Sequence, residues 1–252
     1  MSVAPTEGEA DASSSSVAAG IFVRLLRSAH AVAPPDAAVL AARSVEPCVY
    51  DISRTEGTFT PESFCALLEF ALPFLASPPP HSFLDFGCGD GIPILLTACL
   101  FGSKFERCIG VEVSPTACAV AGSLHRLALE LLPLAALPSV PRSALEGGRV
   151  AFLCEDALSP PMRPLLASAS VIFANATAFS DDLLQDLLGA CQCLAPGALL
   201  LISRDPNCGA CESPFLEPVA HTTALFSWGT QASVGVLRRR PPVQEGCAGS
   251  QG

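Results

Sequence analysis

From about residue 60 onward the chain alternates between two kinds of apolar pattern. Short runs that are apolar almost throughout occur at Ser82–Phe86, Cys108–Val111, Val150–Leu153, Ser168–Phe173 and Ala198–Ser203. Between them, apolar residues recur every three or four positions, as on one face of a helix. Short continuous runs bounded by turn residues predict buried strands, and the spaced runs predict helices packed on them. Thr60, Pro61 and Glu62 open one helix with a capping hydroxyl, a proline at the first position and an acid facing the positive end of the helix dipole. Phe64, Leu67, Leu68, Ala71 and Leu75 are its apolar face, and Pro73 bends or ends it. Ser114-Pro115 starts a helix reaching about Leu132, and Ser180 caps another whose stripe is Leu184, Leu187, Leu188 and Cys191. At the C-terminal end, Thr222–Trp228 and Ser233–Arg238 flank Gly229-Thr230-Gln231 as the arms of a hairpin. This order predicts an α/β fold: a Rossmann-like, mostly parallel, doubly wound sheet with a terminal antiparallel hairpin.

Composition divides the rest. Residues 1–16 are Ala-, Ser- and Glu-rich and predict a disordered tail. Residues 17–58 predict an N-terminal helical segment. The pairs Ile21 with Leu25 and Phe22 with Leu26 place a helix over Val17–Ala31, and a second short helix is expected over Asp36–Arg43, after Pro34-Pro35. The main domain spans 59–240, with an insertion at Pro133–Gly148, and 241–252 form a flexible tail.

The chemistry gathers at Phe83-Leu84-Asp85-Phe86-Gly87-Cys88-Gly89-Asp90-Gly91, a strand running into three alternate glycines and then, from Ile92, into a helix. That arrangement lets backbone approach a ligand at the carboxyl end of a strand. The spacing is not the Gly-x-Gly-x-x-Gly of dinucleotide sites. Asp85 just before the turn can order it and hold an amine. Glu112 ends the next strand, about 20 residues on, where an acid accepts both hydroxyls of a ribose. A nucleoside site without a demand for pyrophosphate fits S-adenosylmethionine better than NAD.

The formal charge of −10, from 14 basic and 24 acidic residues, leaves little to displace phosphate counterions, so strong direct DNA binding is not expected. No apolar run reaches the roughly 18 residues of a membrane span, and the N-terminus lacks the basic region of a secretory signal. Several of the twelve cysteines (Cys65, Cys99, Cys118, Cys154) fall inside apolar elements, as reduced thiols do in the cytosol or nucleus. Cys191, Cys193, Cys208 and Cys211 number enough for zinc but lack a familiar spacing, so no metal site is expected.

Four segments carry a resemblance. Phe59-Thr60-Pro61-Glu62-Ser63-Phe64, the turn from Phe83 to Ile92, Val171 to Phe179 (Val-Ile-Phe-Ala-Asn-Ala-Thr-Ala-Phe) and Ser227-Trp228-Gly229-Thr230 resemble, in that order, motifs of the non-SET histone-lysine methyltransferases, the disruptor-of-telomeric-silencing family. The likeness runs from about Tyr50 to Arg240. It implies a class I S-adenosylmethionine-dependent methyltransferase in the nucleus, acting on a protein with an exposed lysine, such as a histone or a nucleosome. Phe59, Thr60, Pro61 and Glu62 would cover the cofactor, and Asp156 would accept from the adenine amino group. Ala157 stands where the family usually has an aromatic over the adenine, and Ala176 and Thr177 replace its usual second Asn and Phe. Asn175, ending strand four, offers a neutral amide that accepts from an amine without favouring its protonated, non-nucleophilic form. Phe179 and Trp228 would wall a channel for the lysine side chain. The alternatives are a methyltransferase for another protein or a small molecule, and a relative that has lost catalysis.

Overall fold

The structure, a computed structural model, describes residues 17, 19–28, 58–131, 142–205, 211–227 and 229–241. The expected helix at 36–43, both tails, Cys208 and Trp228 lie outside the described residues.

Helix α1 (19–28) is followed by α2 (Pro61–Ala71), β1 (His81–Phe86), α3 (Ile92–Leu100), β2 (Phe105–Glu112), α4 (Pro115–Leu131), β3 (Val150–Cys154), α5 (Arg163–Ser168), β4 (Val171–Ala174), α6 (Asp181–Ala190) and β5 (Leu199–Ile202). Strands β6 (Leu216–Leu225) and β7 (Gln231–Arg239) close the sheet. The strand order is β3-β2-β1-β4-β5-β7-β6. Neighbours among β1–β5 pair in parallel, while β7 runs antiparallel to both β5 and β6. All described residues of the central strands β4 and β5 are buried, as a sheet covered on both faces requires.

Alternation along the strands sorts the core into two layers. Phe83, Val171, Phe173, Leu199 and Leu201 pack with α1 to α4 on one face. Leu84, Phe86, Ile172, Ala174, Leu200 and Ile202 pack with α5 and α6 on the other. On the first face, Phe64 meets the rings of Phe83 and Phe173 edge-on at 6.1 and 5.3 Å. Such ring pairs add about 0.5–1.5 kcal/mol each beyond the area they bury.

The helix signals are realised in detail. Thr60 caps α2, its hydroxyl accepting from the Ser63 N–H at 3.2 Å, and α2 ends at Ala71 before a single 3-10 turn containing Pro73. Ser180 caps α6 by accepting from the Leu183 N–H. Three expectations shift. The first arm of the terminal hairpin starts earlier, at Leu216, and ends at Leu225, and Gln231 opens the second arm instead of lying in the turn. Strand four is shorter than the apolar run, because Ser168 closes the short helix α5 and the strand begins at Val171. In α1 only the Phe22 and Leu26 pair is buried, together with Ala19 and Val23; Ile21 and Leu25 are each 43% exposed.

Candidate cofactor site

The five parallel strands end along one edge, and every polar site residue read from the sequence and described here, apart from Thr60 and Glu62, stands at that edge. β1 runs into the glycine turn, β2 ends in Glu112, β3 leads to Asp156, β4 to Asn175 and β5 to Ser203 and Arg204. The order of strands reverses between β1 and β4, the place where open α/β sheets bind ligands.

The turn is fixed by its own backbone. The N–H groups of Gly87 and Cys88 both donate to the Val111 carbonyl, at 2.9 and 3.1 Å, and the Gly91 N–H donates to the Cys88 carbonyl at 2.8 Å. Gly91 has φ +75°, and a side chain there would strike the Phe152 ring, so only glycine lets α3 start so close to β3. Gly89 has φ +53° and open space on the side where a Cβ would stand. A ligand can come close to backbone there.

Glu112 braces this turn. One carboxylate oxygen accepts from the Gly89 N–H at 3.0 Å and the other from the Ser114 N–H at 2.9 Å. Each oxygen keeps acceptor capacity for a further donor such as a ribose hydroxyl. Asp85 is fully buried, and its Oδ2 has no hydrogen-bond partner. Burial, reinforced by Glu112 and Asp90, holds its carboxyl well above the ordinary carboxylate range. A buried acid with an orphaned oxygen beside a second carboxylate calls for a cation. S-adenosylmethionine brings two positive groups, a sulfonium and an ammonium, against one carboxylate, whereas the pyrophosphate of a dinucleotide would add negative charge. The residues present fit the first group and not the second.

On the β4 side, Asn175 Oδ1 accepts from the buried Ser203 hydroxyl at 2.9 Å and from the Thr177 hydroxyl at 3.1 Å. Its carbonyl oxygen is therefore already engaged by two donors, which the sequence did not anticipate. The Phe179 ring meets Phe86 edge-on at 5.7 Å and lies 3.9 Å from where a Cβ of Gly87 would be. It stands beside the turn.

Solved structures share this architecture. TrmN from Thermus thermophilus matches with a TM-score of 0.54 and 20% identity, over 76% of this chain and 52% of TrmN. The rRNA methyltransferase aviRa from Streptomyces viridochromogenes matches with a TM-score of 0.51 and 17% identity, over 70% of this chain and 84% of aviRa. The chain thus spans about half the length of the TrmN structure. No protein-family model and no curated protein matches the sequence. The fold is the Rossmann-like class I methyltransferase fold.

Within that fold, several residues named from the sequence turn their side chains into the core. Phe59 is 6% exposed, its ring against Phe173 at 5.4 Å and Phe226 at 4.5 Å. Phe83, Ile92 and Ala157 are buried as well, so they have backbone rather than side chains to offer a ligand. Pro61 is the first residue of α2. Glu62 faces α1, so close to Gly20 that a side chain there would collide with its carboxylate. Asp156 is exposed and accepts from the Leu158 N–H at 2.9 Å, leaving Oδ2 for an amino group.

Two arginines at the edge were missed as site residues. Arg204 donates through Nη2 to the Phe179 carbonyl at 2.7 Å and through Nε to the Ala176 carbonyl at 3.2 Å, clamping the loop that carries Asn175 and Phe179. Arg27 of α1 pairs with Asp90 of the glycine turn at 3.6 Å. Position was the available signal for Arg204, the second residue after an all-apolar strand; Arg27 had none. A separate hollow of about 630 Å³ lies at the hairpin edge, lined by Cys211, Glu212, Leu216, Leu237 and Arg240 among others. Among the described residues, none of the proposed site residues borders it.

Proposed function

We propose that this chain is an S-adenosylmethionine-dependent methyltransferase that modifies an amine on a basic protein, a histone lysine being the reading favoured by its motifs. The observation that carries the proposal is the pair Asp85 and Glu112: a buried carboxyl with one unpartnered oxygen under a glycine turn, with a carboxylate bracing that turn. When bound, S-adenosylmethionine would supply an electrophilic methyl group for in-line displacement by a nitrogen lone pair. The protein's part is to position and to desolvate. Asp85 would face the ammonium, Glu112 the ribose and Asp156 the adenine. Arg204 holds Phe179 beside the turn, and Phe179 keeps water from one side of it.

Charge supports a cationic substrate. Glu112, Glu155, Asp156 and Asp182 lie along the same edge of the sheet, where Arg27 and Arg204 pair with Asp90 and Asp181, in a chain of net charge −10. That field attracts a lysine-rich segment and opposes a polyanion, so RNA, the substrate of the aviRa neighbour, is disfavoured here. Nuclear location belongs to the same proposal.

The test is incubation with methyl-labelled cofactor and, in parallel, core histones, nucleosomes, RNA and a cell extract. Label on lysine of a histone, falling as salt rises, is the expected result. Label on RNA or a small molecule alone would overturn the substrate, and no calorimetric binding of the cofactor would overturn the methyltransferase reading.

A further inference from the structure

Two thiols converge just outside the ribose acid. β3 ends in Cys154, whose register partner on β2 is Glu112. Cys154 shares its strand face with Phe152, and the Phe152 ring lies 6.1 Å from that of His125 on α4. Cys118 precedes His125 by seven residues, two helical turns, and so lies on the same side of α4. Helix and strand run in opposite directions, so stepping back from His125 and forward from Phe152 leads to the same place. The Cys118 sulfur shows it: Sγ lies 3.4 Å from the Glu112 carbonyl and 4.0 Å from the Leu153 carbonyl, which is bonded to the Cys154 peptide nitrogen. Cys154 is exposed and Cys118 half-buried.

We propose that Cys154 and Cys118 form a reversible disulfide when the protein meets hydrogen peroxide, fixing the first turn of α4 to the end of β3 beside Glu112. Cys154 is exposed, whereas burial pushes the half-buried Cys118 thiol up to about 12, so Cys154 is the thiol that a peroxide reaches first. Its thiolate attacks one peroxide oxygen, the O–O bond breaks, and hydroxide leaves as water once protonated. The resulting sulfenic acid is then attacked by the Cys118 sulfur; an S–S bond forms, the S–O bond breaks, and the departing hydroxide takes the Cys118 proton. Two electrons pass from the thiols to the peroxide, which becomes two waters.

The bond removes a contact that matters to the site. As a thiol, Cys118 donates to the Glu112 carbonyl; as a disulfide it has no hydrogen to donate. Glu112 then loses one tether. Reading this as weaker cofactor binding rests on the methyltransferase proposal, whereas the bond itself does not. Oxidation is expected to raise the dissociation constant for S-adenosylmethionine about three- to tenfold, the scale of one hydrogen bond.

The experiment treats the full chain with hydrogen peroxide, maps linked peptides by mass spectrometry, and repeats both steps after dithiothreitol. A Cys118–Cys154 crosslink, reversed by reductant and absent from Cys154→Ser and Cys118→Ser, is expected. Cys118→Ser keeps a donor toward Glu112, so it serves as a folded control. Pairing of either residue with another cysteine, or sulfinate at Cys154 with Cys118 still a thiol, overturns the proposal. Calorimetry on reduced and oxidised protein separates the two claims. Equal affinities overturn the link to the cofactor site. No binding in the reduced protein removes the methyltransferase reading and leaves the thiol result standing.

Discussion

Replacing Glu112 with alanine tests the site most directly, because the carboxylate has two duties that give separate signals. Its first is structural: it accepts from the Gly89 and Ser114 N–H groups without any ligand. Hydrogen bonds to a charged group contribute about 1.5–3 kcal/mol each when buried. Glu112 is only half-buried and water can replace it, so we expect a combined loss of about 1–2 kcal/mol. For a chain of this size that is a fall in Tm of roughly 2–8 °C. Its second duty is the ribose. Losing charged hydrogen bonds to the hydroxyls, about 1.5–3 kcal/mol, weakens S-adenosylmethionine binding about 10- to 150-fold. Thermal denaturation without ligand reads the first effect, and isothermal calorimetry at a temperature where both proteins are folded reads the second. Glu112→Gln adds a check. Its single carbonyl oxygen cannot reproduce both acceptors, so its Tm should lie near that of the alanine variant. A folded Glu112→Ala protein that binds cofactor as tightly as wild type would refute the ribose assignment. If its Tm fell all the same, Glu112 would be a brace for the turn and nothing more.

Three further outcomes follow from the geometry. Because the folded-state pKa of Asp85 is raised above its ordinary 3.8, its native state holds the proton more tightly than the unfolded chain does. The stability this contributes is complete below that value and is lost as pH rises toward the folded pKa. Asp85→Asn should flatten this part of the Tm–pH profile; identical profiles for the two proteins would count against it. Asn175→Ala deprives the buried Ser203 hydroxyl of its acceptor, costing about 1–3 kcal/mol. Because Oδ1 already accepts from Ser203 and Thr177, the part left to Asn175 is to position its loop: the variant should lower single-turnover methyl transfer while cofactor affinity stays constant, and an unchanged rate would remove Asn175 from the site. Gly91→Ala meets both a positive φ and the Phe152 ring, so a loss of about 2–4 kcal/mol by denaturant titration is expected.

Much of the fold was legible because local signals agreed with the global arrangement. Thr60-Pro61-Glu62 and Ser180 mark helix starts through chemistry confined to one turn, and both caps form. The five parallel strands stand out as short apolar runs because both faces of the sheet are covered. The shift at strand four has a local cause: α5 has only six residues, too few to display a helical period. For the candidate site, the placement of the glycine turn and of Glu112 at the strand ends was readable from position along the strands. Side-chain direction was not. Phe59 and Phe83 look like ligand contacts within a motif, yet alternation and aromatic packing commit them to the core. The Arg204 clamp and the Arg27–Asp90 pair join segments distant in sequence, and no pattern in one segment announces them.

The seam between Phe59 and Phe226 has a consequence for how the chain is made. The Thr60 N–H donates to the Leu225 carbonyl, the Ser227 N–H to the Thr58 carbonyl, and the Leu225 N–H to the Ser63 hydroxyl across 162 residues. The start of α2 is thus hydrogen-bonded to the last hairpin. During synthesis every strand from β1 to β5 leaves the ribosome before that partner exists. The sheet can assemble its parallel half early, and Phe59 can pack on Phe173 of β4, but the hydrogen bonds of residues 58–63 to the hairpin wait until β6 has emerged. A nascent chain stalled after Ile202 would carry the glycine turn and Glu112 with the start of α2 lacking these hydrogen bonds, so this seam should close late, with the hairpin.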